Sequence, residues 1–257
     1  MYDPTSPLLR APALPDGPPA PDAKARFAED RLLDAVIWCE ILPGETVTEA
    51  DVMERFGLTR AAARAGLTRL GYDGWAMPQP RTGWLVLPVT GALVGQVLDA
   101  RRIAEGALSD VKMTEDARAE LIQIASVLQA LHSRPEPGAM VSVQQYLDRI
   151  DGLLLGGLNP FTARHLRKLW HHSTRILRFL AGTGQNTAFR RADASGLIDA
   201  VLAENGRAIV DARMALIDAQ EAFCLRQLLN NDAPLTPGSG LVARPKPTTT
   251  ATNRREK

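Results

Sequence analysis

The sequence predicts a mainly α-helical protein, in which a small N-terminal domain of helices and a β-hairpin precedes an all-α antiparallel bundle. Ala, Leu and Arg are abundant and aromatic residues make up only 5% of the chain, a composition that favours helices. Residues 43–88 combine two short helical patterns with a hairpin, whereas residues 89–229 show only amphipathic helical periodicity. A chain of 257 residues is long enough for these two domains.

The N-terminal domain is predicted to span residues 25–88 and to begin with two helices. Apolar residues recur at helical spacing from about Arg26 to Glu40, which predicts the first helix, and Pro43-Gly44 ends it. Thr48 and Asp51 then form a capping-box pattern with Asp in the place of Glu. This pattern predicts the start of a short second helix.

A tight turn, a third helix and a hairpin follow. Gly57 suits the turn, and Thr59 is a good N-cap for a helix from Arg60 to about Tyr72. Two extended runs, residues 75–79 and 84–87, predict the hairpin. A strand, helix, turn, helix and hairpin in this order are the layout of a winged helix-turn-helix, which places one helix in the DNA major groove.

The charge pattern favours the same function. Between residues 55 and 81 five arginines accompany one acid, Asp73, a local charge of +4 in a chain whose net charge is only +1. A nearly neutral protein that concentrates arginines in one segment is expected to bind phosphate there. The predicted partner is therefore double-stranded DNA.

Predicted DNA contacts begin at the start of the third helix. Arg60 and Arg64 share one helix face, and either guanidinium can fork onto a guanine edge. Thr59 offers a hydroxyl or a backbone N–H to a phosphate. Arg69, nearer the end of the helix, is expected to contact phosphate or nothing.

The hairpin extends this predicted surface through Arg81 and Gly83, since glycine permits a close approach to the DNA backbone or minor groove. Arginines four residues apart most often form a solvated helix face, which is the alternative interpretation. Here they begin a helix between a glycine turn and a hairpin, and this context favours DNA binding.

The same segment resembles the winged helix of the GntR superfamily, whose usual pattern is PG-x-x-L-x-E-x-x-L-A-x-x-F/L-G-V-S-R-x-P-V-R-E-A-L-x-x-L-x-x-E-G, then R-x-G-x-x-V. The residues that fall on this pattern are Pro43, Gly44, Glu49, Gly57, Arg60, Arg64, Leu67, Leu70, Gly74, Gly83 and Val86. Ala61, Ala62 and Ala65 replace the usual Thr, Pro and Glu. The resemblance implies a DNA-binding transcriptional regulator whose affinity or operator differs from those of its relatives.

Residues 89–231 are predicted to form the all-helical domain, in which Asn159-Pro160 begins one helix and Gly182 ends it. The segment Asp99–Glu105 is similar to the E-x-R-x-x-L-E opening of the FCD ligand-binding domain of that superfamily. This resemblance implies a domain for effector binding and dimerisation. The predicted helices are 90–109, 113–132, 139–155, 160–181, 190–204 and 206–230.

FCD domains typically hold a divalent metal with one Asp and three His. In the register set by D-x-A-F-H-x-x-L-x-x-x-x-x-N-P, Asp148 keeps the carboxylate, but the histidine positions fall on Gly152 and near Ala194 and Leu216. One carboxylate does not make a transition-metal site, so we predict no metal and no cofactor. The alternative is a site rebuilt around Asp148 by His165, His171 or His172.

A metal-free cavity would need cationic or hydrogen-bonding groups to hold an organic acid, or an apolar lining to hold an acyl chain. Candidate effector-pocket residues are Arg101, Asp148, His165, His172 and Arg175. The alternative is that His165 and His172 are half-buried polar residues with only a structural role.

The sequence therefore predicts a homodimeric transcriptional regulator on a palindromic operator, modulated by a small organic acid or acyl ligand, with repressor and activator both left open. The alternative is a ligand-independent DNA-binding protein whose helical domain serves only dimerisation. An enzyme is not predicted, because the sequence contains no Ser/His/Asp arrangement, phosphate-binding glycine loop or HExxH motif.

The remaining predictions concern the termini and the compartment. Residues 1–24 contain seven prolines, and residues 232–257 are rich in Pro, Thr and Gly, so the two segments are predicted to be a disordered arm and tail. Cys39 and Cys224 lie far apart without metal-binding spacing, which indicates a reducing cytoplasm. No apolar run suggests a membrane span, so no membrane partner is expected.

Overall fold

The computed structural model describes residues 21–132, 137–183, 189 and 193–230. The predicted arm and tail, apart from the first residues of α1, lie outside these ranges. The elements in chain order are α1 (Pro21–Ile37), β1 (Thr46–Val47), α2 (Glu49–Phe56), α3 (Arg60–Tyr72), β2 (Ala76–Gln79), β3 (Gly83–Val86), α4 (Gly91–Ala104), a 3₁₀ segment (Glu105–Asp110), α5 (Glu115–His132), α6 (Pro137–Gly156), α7 (Pro160–Thr183), α8 (Ser195–Leu202) and α9 (Gly206–Asn230).

The N-terminal elements form a winged helix-turn-helix, as predicted. β3 is the central strand of a small antiparallel sheet with the order β1-β3-β2, in which Leu85 lies opposite Thr46 on one side and Met77 on the other. α1, α2 and α3 pack against one another beside this sheet. The apolar core includes Leu32, Val36, Ile41, Val47, Val52, Ala63, Leu67, Leu70, Trp75 and Val86.

Local sequence signals place α2 and α3. Thr48 and Asp51 form the predicted capping box, in which each side chain bonds the other residue's backbone N–H. Gly57 takes the left-handed conformation, with φ of 64°, and turns the chain into α3. Thr59 caps α3 by accepting a hydrogen bond from the Ala62 N–H. These predictions are confirmed.

α1 ends three residues earlier than predicted. The helix ends at Ile37 because Cys39 takes a left-handed φ of 58° and the Ile41 N–H bonds back to the Ala35 carbonyl. Pro43-Gly44, the predicted stop, lies in the loop beyond. A left-handed cysteine gives no sequence signal, because glycine is the residue that normally marks such a position.

The hairpin formed by β2 and β3, which is the wing of this domain, packs tightly against α3 and β1. A Cβ at Gly71 of α3 would lie 2.3 Å from the Trp84 ring, and a Cβ at Gly83 would lie 2.4 Å from the Val47 carbonyl oxygen. Gly83 also has a φ of 125°, which an L side chain rarely adopts. The two glycines therefore allow the hairpin to lie close to α3 and β1.

The helical domain follows the predicted helix order. The predicted helix 90–109 divides into α4 and the 3₁₀ segment, and the predicted helix 190–204 is described as a helix only from Ser195 to Leu202. One apolar cluster joins α5, α6, α7, α8 and α9, and a second joins α4, α7 and α9 beside the winged domain. Within the described ranges, no helix is both long and apolar enough to cross a membrane.

Candidate functional site

The start of α3 and the wing present the predicted DNA-binding residues. Thr59, Arg60 and Arg64 are exposed along the first turns of α3, whereas Leu67 and Leu70 are buried in the domain core. Arg81 is exposed beside the tip of the hairpin, where its backbone takes a left-handed φ of 68°. The helix therefore has one buried face and one arginine-bearing exposed face.

Most of the arginines in this domain already have acidic partners. Three of the five between residues 55 and 81 are ion-paired, as Arg55–Glu45, Arg64–Glu49 and Arg69–Asp73, with N–O distances of 2.6, 2.7 and 2.8 Å. Hydrogen bonding by Arg64 lowers the pKa of the Glu49 carboxyl, so that this pair is charged near neutral pH. Arg64 nevertheless keeps a side chain that is 68% exposed.

These ion pairs correct the local charge of +4 that the sequence predicted. Glu45 and Glu49, which pair with Arg55 and Arg64, both precede residue 55. Residues 45–81 contain five arginines and five acids, and the latter are Glu45, Glu49, Asp51, Glu54 and Asp73. The net charge is +4 over residues 55–81 but zero over residues 45–81. The position of each arginine relative to the acids is therefore more informative than the net charge of the segment.

Arg60 and Arg81 are the two arginines of this segment that form no ion pair within the described ranges. Arg60 lies at the N-terminus of α3, where the helix dipole and the free N–H groups add positive potential. Arg81 lies on the wing. Two unneutralised cations thus remain on the face that a winged helix presents to DNA.

Gly83 has a structural role that the sequence did not predict, and its approach to DNA stays a prediction. It is half-buried and faces the backbone of β1 at Val47, so its missing side chain allows the hairpin to pack against β1. The Thr59 hydroxyl oxygen accepts the capping hydrogen bond from the Ala62 N–H, and its hydroxyl proton remains available to donate to a phosphate.

The five candidate effector residues do not line one cavity, which corrects that prediction. Asp148 is exposed on α6 and accepts a hydrogen bond from Gln144, and His165 is exposed on α7. Arg101 is buried in the bundle, whereas His172 and Arg175 are buried where α7 meets the winged domain. The periodicity of α7 placed His165 and His172 on one side but could not show that they meet different neighbours.

A buried network of charged groups occupies the centre of the bundle. Glu105 receives hydrogen bonds from Arg101 at 2.5 Å and from Arg213 at 2.6 Å, and Arg213 also bonds Asp151 at 2.8 Å. The Trp170 indole N–H donates to Glu105 at 2.9 Å. The network is electrically neutral and links α4, α6, α7 and α9 through the 3₁₀ segment.

Sequence reasoning missed the members of this network other than Arg101. Two signals were available. Arg101 and Glu105 are four residues apart, the spacing of an intrahelical ion pair. Arg213 lies midway between Ile209 and Ile217, so it stands in the apolar stripe of α9. A charged residue in such a stripe is expected to be buried and paired.

The residues present do not fit the metal that the FCD resemblance implies. In the described part of the chain, no group of three or more His, Cys, Asp or Glu side chains lies close enough to hold an ion. Asp148 faces solvent, and the nearby bundle centre contains two guanidinium groups that would repel a cation. The cavity that touches Ser173 and Gln220 of α7 and α9 has a volume of about 10 Å³, enough for one water molecule.

The winged domain contacts the bundle mainly through α7. The His172 ring stacks on Trp75, with ring centres 3.9 Å apart and planes 20° from parallel. Arg175 donates to the Leu87 carbonyl at 2.6 Å and its guanidinium lies 5.8 Å from the centre of the Trp75 ring. Cys39 donates weakly to the Arg175 carbonyl at 3.5 Å. We call this contact the domain junction.

His172 is expected to make the junction sensitive to acid. Burial, helped by the charge of Arg175, lowers the pKa of His172 to about 3 from its ordinary value near 6.5. The unfolded chain therefore binds the proton more readily, so stability is fully present above pH 6.5 and is lost as the pH falls towards 3. The slope from this residue is about 1.4 kcal/mol per pH unit at most.

This dependence can be measured by urea unfolding of the wild type and of His172→Phe, which retains an aromatic ring on Trp75. We expect the wild type to lose more stability than the variant between pH 7 and pH 5. Exposed His165→Gln is the matched control and should follow the wild type. Equal pH dependence of the wild type and His172→Phe would contradict the prediction.

The fold and this geometry define a winged helix-turn-helix protein with a C-terminal helical domain. The chain is similar to E. coli McbR/YncC, with a TM-score of 0.61 and 16% identity, covering 80% of this chain and 98% of that one. It is also similar to a structure from Rhodococcus sp. RHA1 described as a transcriptional regulator GntR, with a TM-score of 0.58 and 17% identity, covering 79% and 98%. These likenesses show a shared fold. No protein-family profile and no curated protein matches the sequence.

Proposed function

We propose that this protein is a DNA-binding transcriptional regulator of the GntR type. The observation that carries the proposal is the unpaired Arg60 at the exposed N-terminus of α3, in a winged helix-turn-helix whose wing holds the second unpaired cation, Arg81. The similar E. coli and Rhodococcus structures support the proposal, since they share this fold and the Rhodococcus protein is described as a transcriptional regulator.

The residues have distinct roles in this proposal. Arg60 enters the major groove and donates to guanine, while Thr59 and the free N–H groups of the first turn bind a phosphate. Arg64 exchanges the Glu49 carboxylate for DNA as the surface approaches. Arg81 binds the backbone or the minor groove beside the wing. Arg69, paired with Asp73 at the far end of α3, contributes little.

The protein acts as a homodimer on a palindromic operator. Two-fold related winged domains match two half-sites, and the helical domain supplies the contact between the subunits. Exposed apolar side chains on the neighbouring helices α4 and α9 support this role, namely Ile103, Leu225 and Leu229. Burial of these apolar side chains in a subunit interface would remove them from water and so favour the dimer.

Selection of binding sites from random DNA duplexes tests the proposal. We expect enrichment of a palindrome, and two chains bound per duplex by native mass spectrometry. Log affinity for the selected site should fall linearly with log salt, because phosphate contacts release counterions. Failure to enrich any sequence, together with no retardation of DNA at low salt, would exclude the proposed function.

A second candidate is a regulator whose helical domain only dimerises and binds no effector. The neutral, fully paired network at the bundle centre favours this version, because its arginines are already occupied by Glu105 and Asp151. An organic acid could bind there only by displacing one of these carboxylates. An effector, if the protein has one, therefore needs a different site.

A further inference from the structure

Arg175 differs from the other buried arginines because it has no carboxylate partner among the described residues. Its side chain is fully buried, and only Nη1 has a hydrogen-bond acceptor, the Leu87 carbonyl. Nε and Nη2 are buried without a partner among the described residues. Arg101 and Arg213, equally buried, each form an ion pair with Glu105.

The two unpartnered atoms form one edge of the guanidinium. Nε–H and Nη2–H point in the same direction and are spaced to donate to the two oxygens of one carboxylate. The protein uses this edge elsewhere: Arg64 holds Glu49 and Arg149 holds Glu120 through the same pair of nitrogens. At Arg175 the same edge has no carboxylate.

The burial of this unpartnered edge of Arg175 is unusual for a charged group. A buried, uncompensated charge is strongly unfavourable, and the Nδ1 atom of the neighbouring His172 is also buried without a partner in the part of the chain that the structure describes. Burial lowers the pKa of Arg175 to about 10, with the Cys39 thiol acting in the opposite direction, so the guanidinium remains charged at neutral pH. Both groups contact Trp75 and lie within the domain junction.

We propose that the domain junction is a binding site for the carboxylate of a small organic acid, held by the Nε/Nη2 edge of Arg175 with His172 Nδ1 beside it. The site is closed in this structure, so the acid gains access when α7 and the winged domain separate. Binding therefore changes how the winged domain sits on α7. The consequence for DNA affinity rests on the function proposed above, whereas the binding itself does not.

Binding is tested without DNA. Acetate and butyrate are titrated at constant ionic strength, with sodium chloride as the reference and inorganic phosphate as a separate arm. The readouts are the thermal unfolding midpoint and the indole signals of protein labelled with 15N-tryptophan, in which Trp75→Phe assigns the Trp75 signal. We expect a saturable rise in the midpoint and a saturable shift of the Trp75 signal with carboxylates.

Arg175→Met removes the charge and preserves most of the side-chain volume. Arg149→Met is the matched control, because it removes an arginine whose Nε/Nη2 edge bonds Glu120 in a half-exposed ion pair. Without added acid, Arg175→Met should lose little stability, because it leaves the Leu87 carbonyl without its donor but no carboxylate without its partner. It should show no carboxylate-dependent shift, whereas Arg149→Met should respond like the wild type. Arg175→Lys should respond at least tenfold more weakly than the wild type, because it lacks the fork.

Several outcomes would overturn the proposal. Equal responses of the wild type and Arg175→Met, or no response beyond that of chloride, would exclude the site. A response to phosphate alone would exclude the carboxylate class. Destabilisation by Arg175→Met without added acid as large as that expected for Glu105→Ala would show that the chain already supplies a carboxylate partner.

DNA affinity is measured last, on the selected operator with and without the acid. An acid that binds Arg175 should change this affinity by about 5-fold or more, a typical allosteric coupling. Saturable carboxylate binding by a protein that binds no DNA would leave the site intact and exclude only the proposed function.

Discussion

Glu105→Ala is expected to lower the free energy of unfolding by about 3–5 kcal/mol, because it leaves Arg101 and Arg213 buried without their shared carboxylate. The indole N–H of Trp170 also loses its acceptor. A loss of this size approaches the whole stability of many domains. Urea unfolding, followed by circular dichroism of the helices, measures it.

Two further variants separate the charge from the packing. Glu120→Ala removes the acid of the half-exposed Arg149 pair and should cost no more than about 1 kcal/mol. Replacing Arg101, Glu105 and Arg213 by methionine and Asp151 by asparagine, all together, should recover much of the stability, since this uncharged set of similar volume leaves no charge without its network partner. If Glu105→Ala were no more harmful than Glu120→Ala, the network would not stabilise the bundle in the way described.

Arg60→Ala is expected to weaken binding to the selected operator by about 10- to 100-fold, which corresponds to about 1–3 kcal/mol of lost base recognition. The discrimination between the operator and a scrambled duplex should fall with it, because a guanine contact carries sequence information. Fluorescence anisotropy with both duplexes at several salt concentrations measures the two effects together.

Arg69→Ala is the matched control for this experiment, because it removes an arginine of the same helix that is paired with Asp73. It should change operator affinity by less than about threefold, in keeping with a surface ion pair. Arg81→Ala should weaken binding to both duplexes alike and reduce the salt slope by about one. Equal effects of Arg60→Ala and Arg69→Ala would remove Arg60 from base recognition.

The sequence was sufficient for most of the secondary structure. Caps and turns depend on a few neighbouring residues, so Thr48, Gly57 and Thr59 could be assigned without knowledge of distant contacts. The end of α1 could not, because the left-handed conformation of Cys39 is imposed by its surroundings and not by its side chain. Domain limits at residues 24, 88 and 231 stay predictions.

The candidate DNA-binding surface was predicted in position but not in charge. Helical spacing placed Arg60 and Arg64 on one exposed face, which the structure confirms. Which arginines keep an unneutralised charge depends on acids from other elements, such as Glu45 before β1 and Glu49 on α2. Counting charges in a window cannot detect such pairs.

The effector candidates show the same limit more clearly. Periodicity placed histidines and Arg175 along one helix, but adjacent turns of α7 face solvent, the bundle centre and the winged domain in succession. Arg101 and Arg175 each lie within an amphipathic helical pattern, and only Arg101 has an acid four residues further along its helix. Arg101 bonds Glu105, whereas Arg175 bonds the Leu87 carbonyl and lies near the Trp75 ring.

By itself the sequence determined the mainly α-helical class, the order of the elements and the helix face that carries Arg60 and Arg64, because these follow from local conformational preferences and from the 3.6-residue period. Only the tertiary structure decided which charged side chains form ion pairs. It showed that carboxylates of the chain occupy the arginines at the bundle centre, whereas Arg175 has no carboxylate partner among the described residues. Partners distant in sequence settle those questions: Glu105 and Arg213 are 108 residues apart in sequence, and Arg175 and Leu87 are 88 apart.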